Sequence, residues 1–391
     1  MEASAADERR TTPIELLWDL VFVFAITQVT ALLTRDLTWT GLGQSMLVLA
    51  LVWWAWSAFV WAANAADASS WEMRAILLLG MLLIFVAGLA LPHAFGSDAT
   101  LFALTYAAVR LLHLALYAHT SRQGNASWAA ISGFAITVLA GMALLVAGSF
   151  LDTTGQVVLW TLAAAIDYAG PAWLTRERLR GLQYVAVSHF AERYGLFVII
   201  CLGESIVAIG VGASGRPLDA ALVGAIALGL LVTIALWWIY FDRFAARAEE
   251  RLREHDDAVL AAADAYSYLH LPIVAGIIVF AVGAKLLIHD SGEPLADAAR
   301  LALCGGVALY LLAHAAFQLR IAREFEWAKG ATAAAVLGVF AVGGDIAGWA
   351  VAAAVSVLLA GLCALEALRT AADGDEAAAE RSSPAASPAD R

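Results

Sequence analysis

Charged groups and imidazoles recur inside long apolar runs of this sequence, at helical spacing. Glu15 and Asp19 are four residues apart, with Gln28 further along the same run. Tyr106, Arg110, His113 and Tyr117 fall at +4, +7 and +11, one face of a helix whose other faces are Ala, Leu and Val. Trp53, Ser57, Val60, Asn64 and Asp67 form a second such stripe. Asp167 precedes Gly170-Pro171. His189, Glu192 and Arg193 stand at i, i+3 and i+4, and Glu204 follows eleven residues after Arg193, between Gly203 and Ser205. Asp264, Tyr266, Tyr268 and His270 come before Pro272, and His314 lies in a later run.

An ionisable side chain in a bilayer costs a few kcal/mol on insertion scales, about 2.5–3.5 at mid-helix. Such groups therefore act on protons, ions or polar solutes, or form buried ion pairs that fix helix packing. Both readings stand for each of them. Glu15 and Asp19 lie in the first turns of a helix, where the positive dipole end favours carboxylates. For Glu15, interfacial solvation with N-terminal capping is the simpler account. Arg110 stays protonated and needs a carboxylate or carbonyl partner, with Asp19, Asp67, Asp167 and Glu204 as candidates. His113 suits a proton relay. Glu204, near mid-membrane, is a candidate protonatable site. Pro171 and Pro272 predict helix kinks.

Twelve apolar runs can hold these residues: 14–33, 43–63, 74–92, 100–119, 129–150, 156–174, 192–212, 218–241, 262–288, 297–319, 329–343 and 346–368. Each approaches the roughly 20 residues that cross about 30 Å of hydrocarbon. The last two are parted by the turn Gly343-Gly344-Asp345. Residues 242–258 are rich in Arg and Glu and read as a solvated helical connector. The predicted organisation is a tail over 1–13, a six-helix half over 14–174, a linker over 175–191, a second half over 192–370 and a disordered tail over 371–391.

With the N-terminus in the cytoplasm, 18 of the 23 Lys and Arg residues fall on the cytoplasmic side. Three (Arg35, Arg216, Arg300) fall outside, and Arg110 and Lys285 lie within spans. This follows the positive-inside rule and predicts both termini in the cytoplasm, with the first run an uncleaved helix. Two six-helix halves would then run parallel. Trp53-Trp54 and Trp237-Trp238 are one weak echo between them.

Composition supports the same class. The chain of 391 residues is 62% hydrophobic and 15% charged, with mean hydropathy +0.78. Soluble domains are about 45–50% apolar and about 25% charged. An ordinary soluble enzyme and a disordered chain are excluded. So is a nucleic-acid binder, since the net charge is −11. Cys201, Cys304 and Cys363 lie apart in apolar runs, and no spacing marks a metal, a cofactor or an enzyme nucleophile.

Some of these residues form recognisable motifs. Glu15-Leu-Leu-Trp-Asp-Leu-Val-Phe-Val-Phe-Ala-Ile-Thr-Gln28 resembles the opening signature of the bacterial low-temperature-requirement protein A family. Asp167 with Gly170-Pro171, and Glu192-Arg193-Tyr-Gly-Leu-Phe-Val-Ile-Ile-Cys-Leu-Gly-Glu-Ser-Ile-Val, resemble its later signatures. The likeness covers about residues 13–370. Leu17-Trp18-Asp19 stands where the family usually has Phe-Phe-Asp, which changes bulk and keeps the carboxylate. The resemblance implies a multi-helix protein of the bacterial cytoplasmic membrane linked to growth in the cold. It carries over Glu15, Asp19, Glu192, Arg193, Gly203 and Glu204 only as signature positions, with no catalytic residue. Asp19-x-Val21-Phe22 is also similar to the Phe-Ser-Asp first helix of a potassium channel family, with Trp18 in place of Ser.

The expectation is an all-α polytopic protein that carries a small solute or ion in a proton-linked way. Its partners would be membrane lipids and that solute, with no nucleic acid, metal or cofactor. A cation channel using Asp19 is the alternative, and an integral membrane enzyme acting on lipid is a third.

Overall fold

The computed structural model describes residues 11–65, 71–122, 128–170, 186–289 and 291–382. Asp67 and Pro171, the cations of 176–180 and most of the 175–191 linker lie outside them. The described residues form twelve helices and no strand. These are α1 (Pro13–Arg35), α2 (Trp39–Ala65), α3 (Trp71–Ala90), α4 (Ala99–Arg122), α5 (Trp128–Gly148) and α6 (Thr153–Ala169). There follow α7 (Val187–Ala213), α8 (Ala220–Arg253), α9 (Ala258–His289), α10 (Asp297–Ala322), α11 (Trp327–Val342) and α12 (Gly348–Ser382). Nine of them are long and apolar enough to cross a membrane. Of the remainder, α5 offers the shorter apolar stretch Ala135–Gly148, α6 has 17 residues and α11 has 16.

Local chemistry sets the helix starts. Pro13 occupies the first turn of α1, and Glu15 reaches back to accept the Thr12 N–H and hydroxyl, each at 2.8 Å. Asp219 caps α8 by accepting the Leu222 N–H at 2.8 Å.

Three boundaries differ from the sequence reading. α7 begins at Val187, so His189 lies within the helix and not in a linker; His189 and Arg193 have carboxylate partners on α1 that hold this turn in place. α8 continues through the expected connector to Arg253, because Ala248 and Leu252 on its underside are buried. α12 continues to Ser382, so 371–382 is helical where a disordered tail was expected.

The packing order of the first six helices recurs in the last six. α1 packs on α2 and α3, α3 on α4, α4 on α5, α5 on α6, and α2 on α6. Likewise α7 packs on α8 and α9, α9 on α10, α10 on α11, α11 on α12, and α8 on α12. The two sets meet where α1 and α2 face α7 and α9.

Side-chain contacts give the directions. Glu15 meets His189, Asp19 meets Arg193 and Thr27 meets Glu204, so α1 and α7 run parallel. Ser57 meets Tyr194 and Trp61 meets Phe190, so α2 runs against α7. Phe102 meets Trp160 and Arg110 meets Asp167, so α4 and α6 are parallel.

Glycine permits the tightest crossing. A Cβ on Gly276 of α9 would lie 2.7 Å from the Tyr310 backbone nitrogen and 2.8 Å from the Gly306 carbonyl oxygen of α10. Small residues let backbones meet where no water drives helices together. The outer surface is correspondingly apolar: Leu16, Leu17 and Leu20 are exposed on α1, while Trp18 and Phe22 point inward.

Candidate functional site

The seam between α1 and α7 holds the densest set of buried ionisable groups. The Arg193 guanidinium donates to both Asp19 oxygens, at 3.2 Å from Nε and 2.6 Å from Nη2. Its Nη1 lies 3.2 Å from Glu15 Oε1. Trp56 Nε1 of α2 donates to Asp19 Oδ1 at 2.7 Å, and His189 Nε2 lies 3.3 Å from Glu15 Oε1. All four ionisable residues are at most 1% exposed. A bidentate fork of this kind satisfies the carboxylate lone pairs that burial strips of water.

Three turns further along the seam, the Thr27 hydroxyl donates to Glu204 Oε2 at 2.6 Å. Glu204 is 6% exposed and has no ion pair among the described residues. Lys285 of α9 is the cation whose field reaches it. Next to Glu204, the buried Ser205 hydroxyl has no hydrogen-bond partner among the described residues.

A second pair lies inside the first six helices. Arg110 of α4 donates to Asp167 of α6, at 3.1 Å from Nε and 2.7 Å from Nη2. Asp167, one of four candidates from the sequence, is thus its partner. Arg110 Nη1 also lies 3.3 Å from His113 Nδ1, and because a guanidinium only donates, Nδ1 is the acceptor. Tyr106 and Tyr168 donate to the Leu51 and Ala50 carbonyls of α2, at 2.8 and 2.7 Å. The four-residue face of α4 is buried as its spacing required.

A third group centres on two π turns, Tyr240–Phe244 in α8 and Ala263–Leu269 in α9. The wide turn in α9 comes just before Pro272, whose ring would otherwise strike the preceding turn. Ser267 there accepts Trp53 Nε1 at its carbonyl, 2.7 Å, and Trp61 Nε1 at its hydroxyl, 2.8 Å. Ser57 and Tyr194 complete the cluster of hydroxyls, at 3.0 and 3.2 Å from Ser267 Oγ. His270 Nε2 lies 2.9 Å from the Tyr240 hydroxyl, and His270 stacks on Tyr266. His314 Nδ1 lies 2.8 Å from the Tyr310 carbonyl oxygen, and its buried Nε2 has no hydrogen-bond partner among the described residues. Asp264 faces outward from this group and takes Arg320 at 3.0 and 2.5 Å. π turns are frequent at functional sites.

The expected site residues therefore divide into groups. Asp19, Arg193 and Glu204 share the seam; Arg110, His113 and Asp167 form one cluster; His270 and His314 lie in a third. Asn64 is buried at the end of the Trp53–Ser57 stripe. Glu192 departs from its neighbours: it is exposed and accepts the Thr11 N–H, just ahead of α1, at 3.0 Å, outside the buried ion-pair set. The Trp echo is not matched in burial, since Trp53 and Trp54 are interior and Trp237 and Trp238 are each 40% exposed. Arg300, expected in an outer loop, is 6% exposed on α10 and bound to Asp297 and to the Leu295 and Phe340 carbonyls.

Sequence reasoning missed Thr27, Ser267 and Lys329. Hydroxyls on apolar helices carry no periodic signal. Lys329 counted as a loop cation, yet it is 2% exposed between Glu326 and Glu366, at 2.6 and 3.4 Å. Its i,i+3 spacing from Glu326 was the available clue.

Among known proteins, the family model for the bacterial low temperature requirement A protein (LtrA) matches residues 10–364. An uncharacterized protein of Rhizobium meliloti (strain 1021) is 30% identical over 311 residues, covering 78% of this chain and 76% of that protein. No solved structure matches. With most of its length matched by that model, and with the opening motif around Glu15 and Asp19 forming half of the buried seam, the chain belongs to the bacterial low temperature requirement A family.

Proposed function

We propose that this chain is a proton-linked secondary transporter of a small solute or ion in the bacterial cytoplasmic membrane. In this reading it crosses the membrane twelve times as two parallel six-helix halves, with both termini in the cytoplasm. The recurring packing order and the parallel course of α1 and α7 support the two halves. Five helices separate α1 from α7, so a parallel pair calls for an even number of reversals between them. The positive-inside pattern supports the orientation.

Glu204 carries the transport reading. It is a buried carboxylate on the seam between the halves, hydrogen-bonded by a neutral hydroxyl and not by a guanidinium. A carboxyl so placed can take up a proton without breaking an ion pair, and rocking of one half on the other would alter its access. Asp19, in contrast, is closed by Arg193 and Trp56, which disfavours a cation pore built on it.

Two experiments test this proposal. Reporters fused within 243–254 should read cytoplasmic, and reporters near Gly215 or Ser291 should read external; an inversion between those sites would mean an odd error in the number of crossings. In proteoliposomes, uptake of labelled amino acids, sugars and rubidium is measured with and without a pH gradient. Gradient-dependent accumulation of one solute class is expected. Glu204→Gln should melt like wild type, since an amide keeps the shape and can accept from Thr27, yet lose that accumulation. Full activity in Glu204→Gln removes this residue from proton coupling, and a large passive rubidium current would point to a channel.

A further inference from the structure

A cavity of about 460 Å³ lies at the end of the bundle opposite the Glu15–Arg193 cluster. One wall comes from the first six helices, with Leu33 of α1, Leu42 of α2 and the turn between them. The other comes from the last six, with Val279 of α9, Ala302 of α10 and Phe340 of α11. The space therefore sits in the joint between the two sets.

The helix rise gives its depth. Trp39 at the start of α2 and Asp297 at the start of α10 stand at the mouth. Trp39 is 76% exposed, as aromatic residues are at a membrane–water interface. Val279 lies deepest, ten residues before His289 at the end of α9. At 1.5 Å per residue that is about 15 Å, half of a hydrocarbon core about 30 Å thick. The α10 side agrees, since the Phe280 backbone lies against Gly306, nine residues after Asp297. The cavity thus spans the depth of one leaflet. Val279 is part-exposed between the fully buried Ile278 and Phe280 because it faces this space.

Water has little to bind below the mouth. Thr38 and Asp297 are the polar residues on the wall, and both are engaged. The Thr38 hydroxyl accepts the Gly41 N–H at 3.1 Å, and Asp297 accepts from Arg300 Nη2 at 2.7 Å. Every other lining residue is aliphatic or aromatic. A buried water needs two to four polar partners, and apolar space without them stays dry. In a bundle that crosses a bilayer, hydrocarbon is the material at hand to fill it. At about 30 Å³ for each water-sized group, the cavity holds roughly fifteen methylenes, one ordinary acyl chain.

We propose that this cavity binds one acyl chain of a phospholipid from the leaflet on that side, held between the first six helices and the last six. The chain end reaches Val279, and the glycerol and head group stay at the mouth beside Trp39 and Asp297. The chain makes the contact, so head groups of different charge bind alike. The site requires only that the bundle crosses a membrane; it does not depend on the transport reading.

The test uses the full-length protein in bilayer nanodiscs that contain phosphatidylcholine with a photoreactive diazirine at the end of one chain. After irradiation, labelled residues are located by peptide mass spectrometry. Surrounding lipid marks exposed positions such as Ile206 of α7. Occupation of the cavity adds Val279. Moving the diazirine next to the glycerol should shift that label from Val279 to Trp39. Ala302→Trp fills the floor and should abolish the Val279 label while Ile206 is still marked. Leu42→Trp, at the part-exposed rim, provides the same test if Ala302→Trp does not fold. Phosphatidylglycerol with the same chain should label Val279 as phosphatidylcholine does. A labelled Ile206 with an unlabelled Val279 overturns the proposal. A Val279 label that persists in every filled variant that folds, or that only one head group produces, does so as well.

Discussion

Arg193→Leu is expected to destabilise the protein by about 3–5 kcal/mol, read as a lower melting temperature or as loss of yield. The guanidinium is the common partner of Glu15 and Asp19, which lie one turn apart on α1 and are 1% and 0% exposed. Without it, two carboxylates face each other in a site that water does not reach, with only Trp56, His189 and the Thr12 cap to meet them. Adding Asp19→Asn should restore much of the loss by removing the orphaned charge. Arg193→Lys should restore less, because an ammonium cannot make the two-point contact with Asp19. A variant that melts like wild type would place water in the seam.

Arg110→Leu is the second large effect, again about 3–5 kcal/mol. Asp167 is 1% exposed and takes two hydrogen bonds from this guanidinium. Asp167→Asn in the same chain should partly rescue it. Unlike Arg193, Arg110 joins helices of a single half, α4 and α6. Its loss should therefore loosen the first six helices while the Arg193–Asp19 contact persists. Cross-linking between cysteines placed on α1 and α7 can follow that contact in the Arg110 variant. Loss of the cross-link there, at a temperature where the variant remains folded, would show that the two pairs are coupled.

The sequence was most informative where a helical period alone decides burial. The α4 face of Tyr106, Arg110, His113 and Tyr117 and the α2 stripe from Trp53 to Asn64 are both interior, as their spacing implied. Choice of partner was not legible. Four carboxylates were open to Arg110, and only tertiary packing selects Asp167. Glu204 is buried, but Arg110 stands with Asp167 and Glu204 takes the Thr27 hydroxyl. Helix ends were also hidden. Residues 245–253 read as a separate solvated helical connector, and they are helical; what hydropathy hid is that they continue α8, with Ala248 and Leu252 buried. The buried Lys329 escaped for a similar reason, since a charge count by segment cannot see an ion pair closing over it.

The two π turns make α8 and α9 depend on each other. Each holds one residue more than an α-helical turn needs, and one residue rotates a helix by about 100°. The faces before and after each insertion are therefore out of phase, and in α9 the stretch around the insertion offers Asp264 to Arg320 and His270 to Tyr240. Tyr240 opens one insertion and His270 follows directly on the other. Shortening either helix alone by that residue would swing one wall of this end of the bundle by more than a quarter-turn against its neighbour. The phase of α8 and that of α9 are thus a single structural setting, shared by two segments that 18 residues of chain separate.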